Sequence, residues 1–178
     1  MTEGFFRLQI ERKILFFDLA DPEKRTDEDI LDALHTIARF AESHDVIMGL
    51  NEKEAIHVAI ALGVPVQIKS EKADEQMIAD LAFNIREKLD LHICMVHPTQ
   101  FAGAASANEV AVVQGPWTPR PKISTGAGDH LNAGFCVGHL LGGTLEEALQ
   151  IGVGTSGFYV RNAISPSRTQ LAEFLNTL

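Results

Sequence analysis

The sequence predicts an α/β protein, a layered αβα sandwich built around a mainly parallel sheet. Short apolar runs alternate along the chain with longer segments whose apolar residues recur at helical spacing. This alternation is typical of a sheet that helices cover on both faces. The 178 residues are enough for a core of their own, and we expect a single domain over 1–178.

The first half of the chain keeps this alternation throughout. Residues 13–18 and 46–50 are apolar runs bounded by polar residues, as buried parallel strands are. Thr26 or Asp27 can cap the helix between them, and Gly63 can end the next helix. The predicted elements are an extended segment with Phe5, Phe6, Leu8 and Ile10, strands at 13–18, 46–50, 64–68 and 91–96, and helices at 27–41, 51–62 and 72–89.

The second half departs from the alternation once, after His97. Two neighbouring apolar runs there predict a pair of antiparallel strands joined around Ala107 and Asn108. Thr144 and Glu147 have the spacing of a capping box, which predicts the start of a long helix. The predicted elements are strands at 101–105 and 109–113 and helices from about 127 to 141, from 145 to about 162 and from 169 to 175.

Composition excludes some classes of function. Lys and Arg number 15 against 24 Asp and Glu, a net charge of −9, which argues against nucleic-acid binding. Apolar runs stay well short of the roughly 20 residues of a membrane helix, and the N-terminus lacks the apolar core of a signal peptide. We therefore expect a cytoplasmic protein with no membrane partner. Cys94 and Cys136 lie in apolar segments and are expected to be reduced core residues.

The most informative stretch is residues 124–134, with the sequence STGAGDHLNAG. It has the pattern of a strand end, a tight glycine turn and a helix that opens near Ala127. Amides of a first helical turn have no intrahelical acceptor and favour anions. Asp129 in that turn is a credible base for a hydroxyl proton beside a bound phosphate. An ordinary glycine turn with a first-turn Asp explains the same residues equally well.

The same stretch resembles the C-terminal signature of the ribokinase-like sugar kinases, the PfkB carbohydrate kinase family. The resemblance implies that Gly126, Ala127 and Gly128 form an anion hole for the transferred phosphoryl group. It implies that Asp129 is the catalytic base toward a sugar or nucleoside hydroxyl, and that ATP and Mg²⁺ are the cofactors. Thr125, beside the glycines, is expected to contact the nucleotide.

Asn51 and Glu54 are a second motif at the end of a predicted strand. Residues three apart on a helix face the same side, and ligands of open α/β sheets bind at strand ends. From the residues alone, an ordinary helix cap is the more frequent explanation. The resemblance favours the family's Asn-x-x-Glu motif, and implies that both residues hold Mg²⁺, with Glu54 acting through water.

Two further segments match the family less closely. The family carries a Gly-rich turn beside the nucleotide where this chain has residues 97–100, so Thr99 and Gly103 are the candidates for that contact. Asp18 to Arg25 resembles the family's strand-end Asp…Pro…Arg loop, which lies near the active cleft.

The resemblance covers only the C-terminal part of a family member. It identifies the chain as the nucleotide-binding portion of a PfkB-type kinase, lacking the N-terminal strands, the sugar-binding residues and the lid. A missing lobe or a homo-oligomer could complete the site. Three functions follow: a kinase portion, a truncated nucleotide- or partner-binding module without catalysis, and an α/β scaffold whose glycine turn only packs strand on helix.

Overall fold

A computed structural model describes residues 12–19, 25–66 and 74–178. Within these ranges, five strands form one sheet in sequential order. The strands are β1 (Ile14–Asp18), β2 (Asp45–Asn51), β3 (Ile93–His97), β4 (Phe101–Ala105) and β5 (Val110–Gln114). β1, β2 and β3 pair in parallel, whereas β4 is antiparallel to both β3 and β5. The predicted antiparallel pair is thus confirmed, and the parallel part of the sheet is its first three strands.

Helices cover both faces of this sheet. They are α1 (Asp27–Ala41), α2 (Glu52–Ala61), α3 (Glu75–Leu89), α4 (Ala127–Leu140), α5 (Leu145–Asn162) and α6 (Arg168–Leu175). Successive residues of a strand point to opposite faces. Accordingly, Met48 packs in a core with α1, α2 and α3, and Ile47 packs in a second core with α4 and α5. The predicted layered α/β architecture is confirmed.

Helix starts follow the predicted caps, with one exception. Thr26, Asn51 and Thr144 each form a capping box with the residue three positions later. α3 was expected from Lys72 but begins at Glu75, because Asp74 has extended backbone angles and its side chain accepts the Met77 amide.

The predicted strand at 64–68 is wrong for its described part. The Val64 amide donates to the Ala59 carbonyl across the αL residue Gly63, so this segment closes the end of α2 instead of joining the sheet. Residues 67–68 and the predicted segment with Phe5, Phe6, Leu8 and Ile10 lie outside the described residues.

α4 and α5 pack with their backbones unusually close. A Cβ built on Gly134 would lie 2.5 Å from the Thr155 hydroxyl and 2.8 Å from the Ile151 carbonyl oxygen. One built on Gly152 would lie 3.0 Å from the Leu131 carbonyl oxygen. A Cβ built on Gly138, later in α4, would lie 2.7 Å from the Cα of Ala148, earlier in α5. The two helices therefore run antiparallel, and the start of α4 lies beside the second half of α5. Over the described ranges, no helix combines the length and apolar character that a bilayer span requires.

Candidate active site

Three polar residues end the three parallel strands at one edge of the sheet. β1 ends at Asp18, β2 at Asn51 and β3 at His97, and Asn51 and His97 are register partners. The first turn of α4 lies over this edge, since a Cβ built on Gly128 would be 3.4 Å from His97 Cε1. Ligands of open α/β sheets bind outside the carboxyl ends of the strands. This edge of the sheet is therefore the candidate ligand-binding site.

A cavity of about 330 Å³ opens beside this edge. It lies between the β3–β4 connection, the loop after β5, the first turn of α4 and the second half of α5. Its polar contributors are Asn51, His97, Thr99, Thr118, Ser124 and Ser156, and Ala127 and Gly128 supply backbone. Its apolar contributors are Pro98, Phe101, Pro116, Trp117, Pro121, Leu131, Val153 and Val160. A mostly apolar cavity with a few converging polar groups is typical of a small-molecule site.

The glycine turn that precedes α4, residues 124–127, has a specific backbone geometry. Gly126 has φ 85° and ψ 4°, and the Ala127 amide donates to the Ser124 carbonyl at 3.1 Å. These are the features of a type II turn, which places a glycine at its third position. The Ala127 amide is therefore used within the turn. The amides of Gly128 and Asp129 are in the first helical turn and have no backbone acceptor among the described residues.

Asp129 is exposed in the first turn of α4, next to a second carboxylate. Partial burial raises the pKa of Asp18, and the negative charge of Asp129 raises it further. Asn132, one turn after Asp129, donates from Nδ2 to Asp18 Oδ2 at 3.0 Å, which favours the ionised form of Asp18. Asn132 is only 6 % exposed, and its Oδ1 is buried without a hydrogen-bond partner in the described structure. The two carboxylates and this amide form one polar cluster.

His97 is held neutral beside the α4 turn. Burial lowers the pKa of His97 from 6.5 to about 4, so the ring carries no charge at neutral pH. The ring lines the cavity together with Gly128. A neutral imidazole there is a hydrogen-bonding group without a fixed positive charge.

Asn51 and Glu54 form a reciprocal capping box. The Asn51 amide donates to Glu54 Oε2 at 2.8 Å, and the Glu54 amide donates to Asn51 Oδ1 at 3.0 Å. Asn51 lines the cavity, whereas Glu54 lies behind it and is 8 % exposed. The described residues hold no group of three or more His, Cys, Asp or Glu side chains arranged to bind a metal. The cap geometry is established, and the Mg²⁺ role stays a prediction.

Of the three residues predicted to contact the nucleotide, one lines the cavity and two do not. Thr99 lines the cavity. The Thr125 side chain is exposed, and its carbonyl accepts the Tyr159 hydroxyl at 3.0 Å. Gly103 does not line the cavity: it is paired in the middle of β4, and a Cβ there would be 2.9 Å from Ile78 Cγ2 of α3. The expected nucleotide contact of Gly103 is therefore corrected, since the glycine makes room for a helix on the other face of the sheet.

Several site residues escaped the sequence analysis. Asn132 could have been found, because it follows Asp129 by one helical turn. Trp117 is the only tryptophan of the sequence and lies in the cavity wall with 53 % of its surface exposed. The contacts of His130 and Tyr159 with the glycine turn had no signal in the sequence, because 29 residues separate the two rings.

The chain matches known proteins over nearly its whole length. Residues 7–178 match the family model described as prokaryotic ketohexokinase. A ketohexokinase of Haloferax volcanii is 26% identical over 160 residues, which are 90% of this chain and 40% of that protein.

Solved structures support the same assignment at the level of the fold. The Methanocaldococcus jannaschii nucleoside kinase, an archaeal member of the ribokinase family, has a TM-score of 0.67 at 18% identity, covering 93% of this chain and 48% of that one. The Escherichia coli protein assigned as ribokinase II, in complex with ATP and Mg²⁺, has a TM-score of 0.62 at 20% identity, covering 93% and 49%.

The chain spans about half the length of these structures, or less than half that of the curated relative. The resemblance on which the sequence analysis drew is confirmed by the family model, the relative and the fold. The chain belongs to the prokaryotic ketohexokinase family of ribokinase-like carbohydrate kinases.

Proposed function

We propose that this chain is the nucleotide-binding portion of an ATP-dependent kinase that phosphorylates a hydroxyl of a sugar or nucleoside. The observation that carries the proposal is the cavity of about 330 Å³ that ends at Gly128 in the first turn of α4, with Asp129 next along that turn. A donor nucleotide in the cavity would bring its terminal phosphate to these amides. An acceptor on the far side of the turn would meet Asp129.

The chemistry assigns each group one task. Asp129 would take the proton of the acceptor hydroxyl as its oxygen forms a bond to the γ-phosphorus. The bond from that phosphorus to the β–γ bridging oxygen breaks, and the leaving group is ADP. Amides of Gly126 and Gly128 would stabilise the negative charge on the phosphoryl oxygens. Ala127 would contribute its backbone position, since its amide already donates to Ser124.

Mg²⁺ fits this edge only as an ion shared with the nucleotide. It usually binds proteins through one or two carboxylates and keeps several waters and substrate phosphates. Glu54 supplies one carboxylate directly behind Asn51, which lines the cavity. Bound Mg²⁺ would neutralise charge on the phosphates. In this arrangement Asn51 and Glu54 orient the ion's waters and keep their cap on α2.

Trp117 offers a direct test of nucleotide binding. As the only tryptophan, it reports on the cavity alone. We expect its fluorescence to change saturably with ATP and with ADP, and the Kd obtained from this change to be lower with Mg²⁺ than without it. A matching rise of the melting temperature should follow, because a ligand at a hundred times its Kd stabilises the folded state by about 2.7 kcal/mol. If the folded chain shows neither change with ATP, ADP or GTP, the proposal is wrong.

Gly128→Ala is the companion variant. Its new Cβ would make ordinary contact with His97 at 3.4 Å, so the fold should persist, while a methyl group enters the wall at the phosphate end. We expect weaker nucleotide binding with an unchanged unfolding transition. The conservative change Thr36→Val, on α1 and the other face of the sheet, should leave the affinity unaltered.

A nucleotide- or partner-binding module without catalysis is the second candidate. The observation that favours it is that the matched residues correspond to only 40% of the length of the Haloferax ketohexokinase. The chain should be assayed with ATP, Mg²⁺ and a panel of ketohexoses, pentoses and nucleosides. Phosphate transfer that is lost in Asp129→Ala supports the kinase. Nucleotide binding without transfer to any acceptor supports the module.

A further inference from the structure

The glycine turn before α4 is held from behind by two aromatic side chains. Tyr159, near the end of α5, donates its hydroxyl to the Thr125 carbonyl at 3.0 Å. His130, in the first half of α4, contacts the Gly126 carbonyl through Nδ1 at 2.7 Å. The two rings stack with centroids 3.6 Å apart and planes at 12°. Neither residue lines the cavity.

The Tyr159 hydrogen bond selects the orientation of one peptide plane. Type I and type II turns differ by a flip of the central peptide, here the Thr125–Gly126 bond. Because the peptide is planar and trans, its N–H points away from its C=O. Tyr159 holds the carbonyl on the α5 side, so the Gly126 amide points to the opposite side of the turn. Gly126 tolerates the φ of 85° that this orientation requires.

His130 fixes the next peptide in the same way. A carbonyl oxygen only accepts hydrogen bonds, so Nδ1 carries a proton and donates it, and Nε2 forms a hydrogen bond with the Ser165 hydroxyl at 2.8 Å. The backbone amide of His130 also donates to the Gly126 carbonyl, at 3.1 Å. This carbonyl is thereby fixed at the start of α4. Its two donors come from one residue, whose ring is held between Ser165 and Tyr159.

We propose that Tyr159 and His130 are positioning residues that preset the Gly126 amide for a phosphoryl anion: Tyr159 orients the peptide that carries this amide, and His130 holds the Gly126 carbonyl on the other side of the residue. The inference rests on the proposed function, because the anion is the terminal phosphate of the nucleotide. Without the Tyr159 hydroxyl the Thr125–Gly126 peptide can flip, and without the His130 ring nitrogen the Gly126 carbonyl loses one of its two donors. An amide that must be reoriented when the ligand binds gives weaker binding than one already in place.

Two variants remove the donors and keep the stacked rings. Tyr159→Phe deletes only the hydroxyl, and His130→Phe deletes both ring nitrogens. Thr36→Val is the matched control, because it removes a hydroxyl that donates to a backbone carbonyl, that of Asp32, on the far face of the sheet. NMR of the free proteins would measure the Gly126 amide and Thr125 carbonyl shifts. Titrations with MgATP and with inorganic phosphate would give affinities.

We expect both shifts to move in the two variants and not in the control. Affinity for MgATP and phosphate should fall roughly 2- to 10-fold per variant, the range that corresponds to one ordinary hydrogen bond. Unchanged shifts, or shifted signals with wild-type affinity, would overturn the inference while leaving the proposed function intact. Failure of the wild-type chain to bind either ligand would overturn both.

Discussion

His97 should make the stability of this protein fall steeply in mild acid. Burial lowers its pKa from 6.5 to about 4, so the folded state resists protonation that the unfolded chain accepts. The stability that this contributes is present above pH 6.5 and is lost as the pH falls toward 4. At 1.36 kcal/mol per pKa unit, the difference from 6.5 to about 4 corresponds to about 3 kcal/mol in strong acid. Between pH 7 and pH 5 the loss is about 2 kcal/mol.

Urea unfolding at several pH values measures this directly. The free energy of unfolding of wild type should fall by about 2 kcal/mol more between pH 7 and pH 5 than that of His97→Gln, which cannot take up the proton. Other titrating groups contribute equally to both proteins and cancel in the difference. A difference between wild type and His97→Gln that does not change with pH would refute the buried, neutral imidazole.

Three further predictions follow from the site and the helices around it. Asp18→Asn should raise the melting temperature at pH 7, because it removes a negative charge that partial burial and the nearby Asp129 disfavour. This gain in melting temperature should shrink as the pH falls toward the pKa of Asp18, and a gain that does not change with pH would contradict the raised pKa. Gly134→Ala should cost about 1–3 kcal/mol in unfolding free energy, since its Cβ would meet the Ile151 carbonyl at 2.8 Å. Gly128→Ala, on the same helix, is the control variant. If Gly134→Ala and Gly128→Ala have the same free energy of unfolding, the tight packing of α4 against α5 at Gly134 is refuted. Asp129→Ala should keep MgADP affinity and abolish phosphate transfer in any assay where wild type transfers; retained transfer would exclude it as the base.

Local signals predicted much of the fold correctly. The cap at Thr26 (one of two predicted candidates), the capping box at Thr144 and the start of α4 at Ala127 depend on residues within one turn of each other, so local sequence indicates them. The end of α2 at Gly63 was predicted correctly, whereas residues 64–66 were wrongly predicted as part of a strand because Val64 and Val66 are apolar. The hydrogen bond from the Val64 amide to the Ala59 carbonyl, which keeps this segment at the end of α2, follows from the αL turn at Gly63.

The contacts that define the site depend on tertiary packing. Asn132 and Asp18 are 114 residues apart along the chain and share a hydrogen bond. Gly103 suggested a ligand contact, but the space beside it is filled by Ile78 of α3. A glycine in the sequence indicates that a neighbouring group approaches the backbone closely, but it does not show whether that group belongs to a nucleotide or to a helix. Asn51 and Glu54 illustrate the same limit, since one spacing serves both a cap and a metal site.

The close contact between α4 and α5 has a genetic consequence. A methyl group at Gly152 would meet the Leu131 carbonyl oxygen and the Phe135 amide nitrogen, main-chain atoms that no second mutation can trim. At Gly154 on the same helix, the methyl group would instead meet the Leu175 side chain, at 2.4 Å. A suppressor screen should therefore rescue Gly154→Ala through smaller residues at position 175. For Gly152→Ala no smaller neighbouring side chain relieves the contact with these main-chain atoms, so compensation has to come from a shift of the helix backbone.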